Sequence, residues 1–85
     1  MPKEPEKYNM VGHRGNVTKV AIHPMYSFVA SGSEDATIRL WDFEQGEHER
    51  TLKGHAGIIK YLAFHSNGHV LASCGTDMVI KLWNL

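Results

Sequence analysis

The sequence predicts an all-β fold in which one four-stranded unit is built twice, on three observations. Residues 31–42, SGSEDATIRLWD, return at 73–84 as SCGTDMVIKLWN; in each copy a Ser leads through a turn containing Asp into an alternating apolar run that ends in Trp. A Gly-His pair stands the same distance upstream in both, Gly12-His13 and Gly54-His55, so the offset is 42 residues throughout, and residues 11–43 laid over 53–85 without a gap agree at 11 of 33 positions. No stretch keeps a 3.6-residue apolar period long enough for a helix. A repeat of that length, opened by Gly-His and closed by Trp, is the signature of a propeller blade. The chain therefore reads as two blades of a β-propeller whose ring is incomplete.

Each element follows from local chemistry. Residues 1–7, MPKEPEK, hold two prolines and alternating charge, which deny them a ladder and a core, so they read as a linker. Tyr8–Val11 precedes Gly12 as Arg50–Lys53 precedes Gly54, and is expected to be the outer strand of another blade; residues 1–11 are thus linker and outer strand. The first repeat, 12–53, begins with Val17–Ile22, where Val, Val and Ile alternate with Thr, Lys and Ala. Pro24 breaks that run, because it removes a ladder donor and extends the backbone of His23. Phe28–Ser31 is the next strand, a turn over Gly32–Ala36 follows with Asp35 bonding its own backbone, and Thr37–Trp41 is the third strand. Gly46 supplies a positive φ in the next loop, and Glu49–Leu52 returns as the outer strand. The second repeat, 54–85, gives strands at Ile58–Phe64, His69–Cys74 and Val79–Trp83, with Asn67-Gly68 as the strongest hairpin signal, and lacks its outer strand.

Stacked repeats need about three or more units for stability, so two blades are expected to be a piece of a longer protein. Lys+Arg and Asp+Glu are equal at 9 each, which gives no net field toward nucleic acid or an anionic membrane and favours protein partners. Residues 1–7 have no apolar core of a signal peptide, and no later run approaches a membrane span. Cys74 is the single cysteine, a small strand hydrophobe rather than a nucleophile, and suits a reducing, cytoplasmic compartment.

His13, Ser31 and Asp35 are the residue types of acyl-transfer chemistry, and they recur as His55, Ser73 and Asp77. Duplication argues against a hydrolase, since an enzyme needs one such set beside one oxyanion hole, and no Gly-x-Ser-x-Gly elbow is present. A structural reading has its own physics: bonds running from the Trp41 N–H to Ser31, His13 and Asp35 would satisfy four polar groups that are costly to bury unpaired. Trp83, Ser73, His55 and Asp77 form the second such tetrad, so no enzyme activity and no catalytic residue are expected. Six histidines raise the question of metal, but no His-x-x-x-His or Cys-x-x-Cys pair occurs, and neither a metal site nor a cofactor is expected. Loops held by a rigid scaffold tend to carry function, which nominates Arg14, Asn16 and Glu34 as partner-facing residues.

On the Gly-His pairs, the Trp41-Asp42 and Trp83-Asn84 ends and the two tetrads, the chain resembles the WD-repeat family, departing from the expected pattern where Asn84 replaces Asp, at Ile22, in the Met25-Tyr26 loop and over Ala56 to Lys60. That resemblance implies a propeller and a non-enzymatic interaction scaffold, with the tetrads in a structural role. Loop strings such as Ser33-Glu34-Asp35-Ala36-Thr37-Ile38 and Glu49-Arg50-Thr51-Leu52-Lys53-Gly54-His55 narrow it to a branch that regulates cytoplasmic dynein. The same branch supplies the non-catalytic subunit of brain-type platelet-activating factor acetylhydrolase. The partners so implied are cytoplasmic dynein and acetylhydrolase catalytic subunits, at the cytoskeleton, centrosome and microtubules. A generic WD-repeat adaptor of an unrelated complex is the alternative.

Overall fold

A computed structural model describes residues 10–85, as seven strands in two antiparallel sheets. The first sheet runs β1 (Val17–Ile22), β2 (Phe28–Ser33), β3 (Thr37–Asp42), β4 (Glu47–Lys53) in sequence order; the second runs β5 (Ile59–Phe64), β6 (Val70–Gly75), β7 (Ile80–Asn84). There is no helix among the described residues, and the ring is open. Tyr8 and Asn9 of the expected leading strand lie outside the described residues, and Met10 and Val11 belong to no strand.

Both sheets are built by the same devices. The β2–β3 turn closes with the Ala36 N–H donating to the Ser33 carbonyl at 3.2 Å, while the Asp35 carboxylate accepts from the Thr37 N–H at 2.9 Å. Ala36 takes φ 73° there and its equivalent Met78 takes φ 64°, a left-handed conformation that L-residues adopt at some cost. Gly46 at φ 70° and Gly68 at φ 77° turn the β3–β4 and β5–β6 hairpins without it. β2 extends to Ser33, beyond the expected Ser31, because Gly32 pairs with Ile38 and Ser33 with Val17. β4 likewise begins at Glu47 rather than Glu49: Glu47 faces Asp42 and His48 faces Trp41, since an outer strand needs backbone partners more than apolar side chains.

A bulge governs which way the inner strands face. Between Val17 and Lys19 the register slips, and the same slip occurs between Ile59 and Tyr61. One extra residue turns simple alternation into a Val17, Val20, Ile22 face and its counterpart Ile59, Leu62, Phe64. The second set lies against the first blade: a Cβ on Gly32 would come within 2.4 Å of Ile59 Cγ2. Ala30, Ile38, Leu40 and Leu52 of the first blade join Ile59, Leu62 and Leu71 of the second in one buried cluster, with Phe64 and Trp83 packed against it. Thr18 adds a polar stitch, its hydroxyl donating to the Ile59 carbonyl across the joint. The equivalent faces at the two ends have no neighbour among the described residues: Val17, Val20 and Ile22 are 52, 57 and 67 % exposed, and Ile80 and Leu82 are 76 and 71 % exposed.

Candidate functional site

Two polar side-chain networks, one per blade, stand out among the described residues. In the first, the Trp41 indole N–H donates to Ser31 Oγ at 2.8 Å, and Ser31 Oγ lies 2.7 Å from His13 Nε2. His13 Nδ1 is 3.1 Å from Asp35 Oδ2. In the second, Trp83 reaches Ser73 Oγ at 2.8 Å, Ser73 reaches His55 Nε2 at 2.8 Å, and His55 Nδ1 lies 2.9 Å from Asp77 Oδ2. The carboxylate can only accept, so Nδ1 carries the proton and Nε2 accepts from the Ser hydroxyl, whose oxygen in turn accepts from Trp. Every donor in the chain is then used once.

Each member arrives from a different part of the blade. The Gly-His segment before the inner strand brings His13, β2 brings Ser31, the β2–β3 turn brings Asp35, and β3 brings Trp41. The glycine ahead of each His is needed for closeness: a Cβ on Gly12 would stand 3.2 Å from Trp41 Cη2, and one on Gly54 would stand 3.3 Å from Trp83 Cη2. Gly15 and Gly57 allow the same loop to lie over the turn, where a Cβ would come within 3.0 Å of the Asp35 and Asp77 amides. Both Asp side chains also fasten the loop from above, accepting from the backbone N–H of Arg14 at 2.9 Å and of Ala56 at 3.0 Å.

These contacts set the charge state of the carboxylates. Burial pushes the Asp35 pKa up, but hydrogen bonds from the Thr37 hydroxyl, the Arg14 and Thr37 amides and His13 outweigh it and hold the carboxyl well below its usual range. Asp77 is lowered first by the Ala56 amide, then by the His55 side chain, against a smaller opposing effect of burial.

The Ser-His-Asp order matches that of a hydrolytic triad, with hydroxyl, imidazole and carboxylate in sequence. Its surroundings differ. Ser31 and Ser73 are 7 and 2 % exposed, and each hydroxyl oxygen is already occupied by an indole N–H. A cavity of about 400 Å³ lies at the opposite loops between the blades and is lined by His23, Tyr26, Phe28 and Phe64 among others, with no tetrad residue. Among the described residues no three His, Cys, Asp or Glu side chains gather as a metal site.

The family model for the WD domain, G-beta repeat, matches residues 5–42 and 46–84. The chain belongs to the WD-repeat family. WD-repeat domains are in general non-catalytic scaffolds for protein interaction, and two blades of one are what the two sheets present. The family match opens at residue 5 and closes on Asp42 and Asn84, whereas division at the Gly-His pairs gives 12–53 and 54–85. Among the described residues no helix is long and apolar enough to cross a membrane.

On the rim beside the first WD tetrad, Arg14, Asn16 and Glu34 are exposed and adjacent. The Asn16 side-chain amide donates to Glu34 Oε1 at 3.3 Å and the Glu34 N–H donates to the Asn16 carbonyl at 2.9 Å, which joins those two, while Arg14 is tied to the same turn through its N–H to Asp35. Sequence reasoning passed over His23. It is 6 % exposed, its Nδ1 accepts from the Met25 and Tyr26 amides, and its Nε2 donates to the Gly68 carbonyl of the other blade at 2.9 Å. A signal was available in the identity of His23 and His65 across the repeat. It was ambiguous, because His65 is exposed and bonds only within its own turn.

Proposed function

We propose that this chain is a non-enzymatic interaction scaffold of the lissencephaly-protein type, a regulator of cytoplasmic dynein in microtubule-based transport and cell division. The observation that carries this reading is the sequence of two connecting stretches, 33–38 across the β2–β3 turn and 49–55 from β4 into the second Gly-His pair, where WD repeats otherwise differ among themselves. Rigid blades with an ordered polar rim at Arg14, Asn16 and Glu34 suit a protein that works by contact and performs no chemistry. The duplicated, enclosed serines support the same reading against a hydrolase. Acetylhydrolase catalytic subunits are the second protein partner, and the cytoplasm, with centrosome and microtubules, is the place of action.

Equal numbers of acidic and basic residues, 9 of each, fit a protein partner better than the acidic microtubule lattice. Microtubule association is therefore indirect, through the motor. The test is co-sedimentation of the full-length protein that carries these blades with microtubules in the presence and absence of purified cytoplasmic dynein. Pelleting that requires dynein is the expected result. Pelleting without the motor, or none with it, would replace this reading with that of a WD-repeat adaptor for another complex.

A further inference from the structure

We infer that His23 is a pH-sensitive latch between the two blades, closed while its imidazole is neutral and released when the ring takes up a proton. The joint has two polar links, toward opposite ends of β1. At one end the Thr18 hydroxyl donates to the Ile59 carbonyl. At the other, just past Ile22, the His23 Nε2–H donates to the Gly68 carbonyl at 2.9 Å. A hydroxyl keeps its proton throughout the range in which histidine changes charge, about pH 5 to 8, so only the second link responds to mild acid.

The other ring nitrogen makes the latch sensitive. Nδ1 accepts from the Met25 amide at 3.0 Å and from the Tyr26 amide at 2.9 Å, which folds the loop after Pro24 back onto the ring. Tyr26 then lies against it with ring centroids 5.2 Å apart, and Phe28 and Phe64 meet it edge to face at 6.1 and 5.1 Å. His23 is 6 % exposed, so water does not replace a bond it loses in place. A protonated imidazole carries a hydrogen on both nitrogens and accepts from nothing. Protonation therefore aims an N–H at two amide N–H groups, and the loop has to leave the ring for those amides to find water.

His13 and His55 are the contrast. Each turns its Nδ1–H to an Asp carboxylate, at 3.1 and 2.9 Å, a bond that survives a second proton. Among the described residues no carboxylate bonds to His23. The titratable groups around it are Tyr26 on its own loop, Glu49 and Arg50 of β4, which oppose each other in sign, His69 in the same cavity wall, and His65 at the start of the facing turn. None of them hydrogen-bonds the ring. Release is local: Ile59, Leu62 and Leu71 stay packed with Ala30, Ile38 and Leu40, and Thr18 holds its end. The blades loosen at the 24–27 loop only, and the midpoint of global unfolding stays nearly in place.

The test is hydrogen–deuterium exchange, read by mass spectrometry, in the full-length protein that carries these blades, with rates corrected for the chemical effect of pH. In a peptide spanning 23–27, where Pro24 has no amide, protection should fall at least about fivefold between about pH 8 and about pH 5, the scale of a lost hydrogen bond. Protection of Val29–Ser33 in β2 should hold over the same range. His23→Asn keeps an oxygen that accepts from the same two amides and does not titrate, so its loop should stay protected at both pH values. His23→Gln keeps a donor for Gly68 without that acceptor, so its loop should be poorly protected at both; it serves as the comparison should His23→Asn lose its β-sheet circular dichroism. Unchanged loop protection in the wild type would overturn the proposal. So would an equal fall in either variant, or a fall that spreads through β2.

Discussion

The two blades are alike in their polar networks and unlike in their apolar faces, and the difference separates what a blade does for itself from what its neighbour does for it. Ser31 and Ser73 are both enclosed, at 7 and 2 % exposure, and both tetrads have bonds of matching length, although one lies on the exposed side of the first blade and the other at the joint. Apolar positions behave in the opposite way. Ile38 and Leu40 are 0 and 7 % exposed, whereas Ile80 and Leu82, one repeat on, are 76 and 71 % exposed. The tetrad is therefore a clasp within a blade, and the apolar face is half of a contact between blades.

The sharpest way to break that comparison is to truncate equivalent residues on both sides. Ile38→Ala should destabilise by about 2–5 kcal/mol, the range for opening a cavity in a packed core. Ile80→Ala should change stability by less than about 0.5 kcal/mol, as exposed substitutions do. Both are measured by urea unfolding. Equal losses would mean that Ile80 is covered by its own blade and that the flank is no flank.

Acid should weaken both clasps together. The Asp35 and Asp77 carboxyls titrate below their ordinary value in the folded chain, so their stabilisation is complete above the unfolded pKa and is lost as pH falls through the folded one. Unfolding midpoints should hold steady from neutral pH down to about pH 4 and then decline. Asp35→Asn with Asp77→Asn should flatten that decline while lowering the plateau. An undiminished acid slope in the double variant would place the titration elsewhere.

The smallest expected effect concerns the turns. Ala36 and Met78 both sit at positive φ, so Ala36→Gly and Met78→Gly should each raise stability, by about 1 kcal/mol for relief of the left-handed conformation. The gain should be the same in the two blades, because the turn, like the clasp, is internal to each. A gain in one blade alone would show that a neighbouring blade props the turn.

The all-β fold was legible because Gly-His, Asp and Trp return at one spacing, and each marks a fixed corner of the blade. Val17–Ile22 and Thr37–Trp41 were placed almost to the residue for that reason. What could not be read was direction. The bulge at Val17–Lys19 turns Val17, Val20 and Ile22 outward, and alternation alone cannot reveal an extra unpaired residue. The polar start of β4 at Glu47 was missed because an outer strand is defined by its ladder and its composition is that of a loop. The tetrad residues could be listed from duplication, whereas the Thr37 hydroxyl bonded to Asp35 and the His23 link to Gly68 could not. The first has Val79 as its counterpart and the second depends on how the two blades meet.

The claim that the tetrad is a clasp private to its blade is tested most directly by indole N–H exchange, followed by NMR, in a chain that has only two tryptophans. Trp41 and Trp83 should both exchange slowly, although their blades differ in what covers them. Ser31→Ala leaves the Trp41 N–H and His13 Nε2 without their partner, so it should speed exchange at Trp41, spare Trp83, and cost roughly 1–3 kcal/mol in unfolding free energy. If Ser31→Ala left both the exchange rates and the unfolding midpoint unchanged while abolishing hydrolysis of a test ester, the serine would be a nucleophile and the account would be wrong.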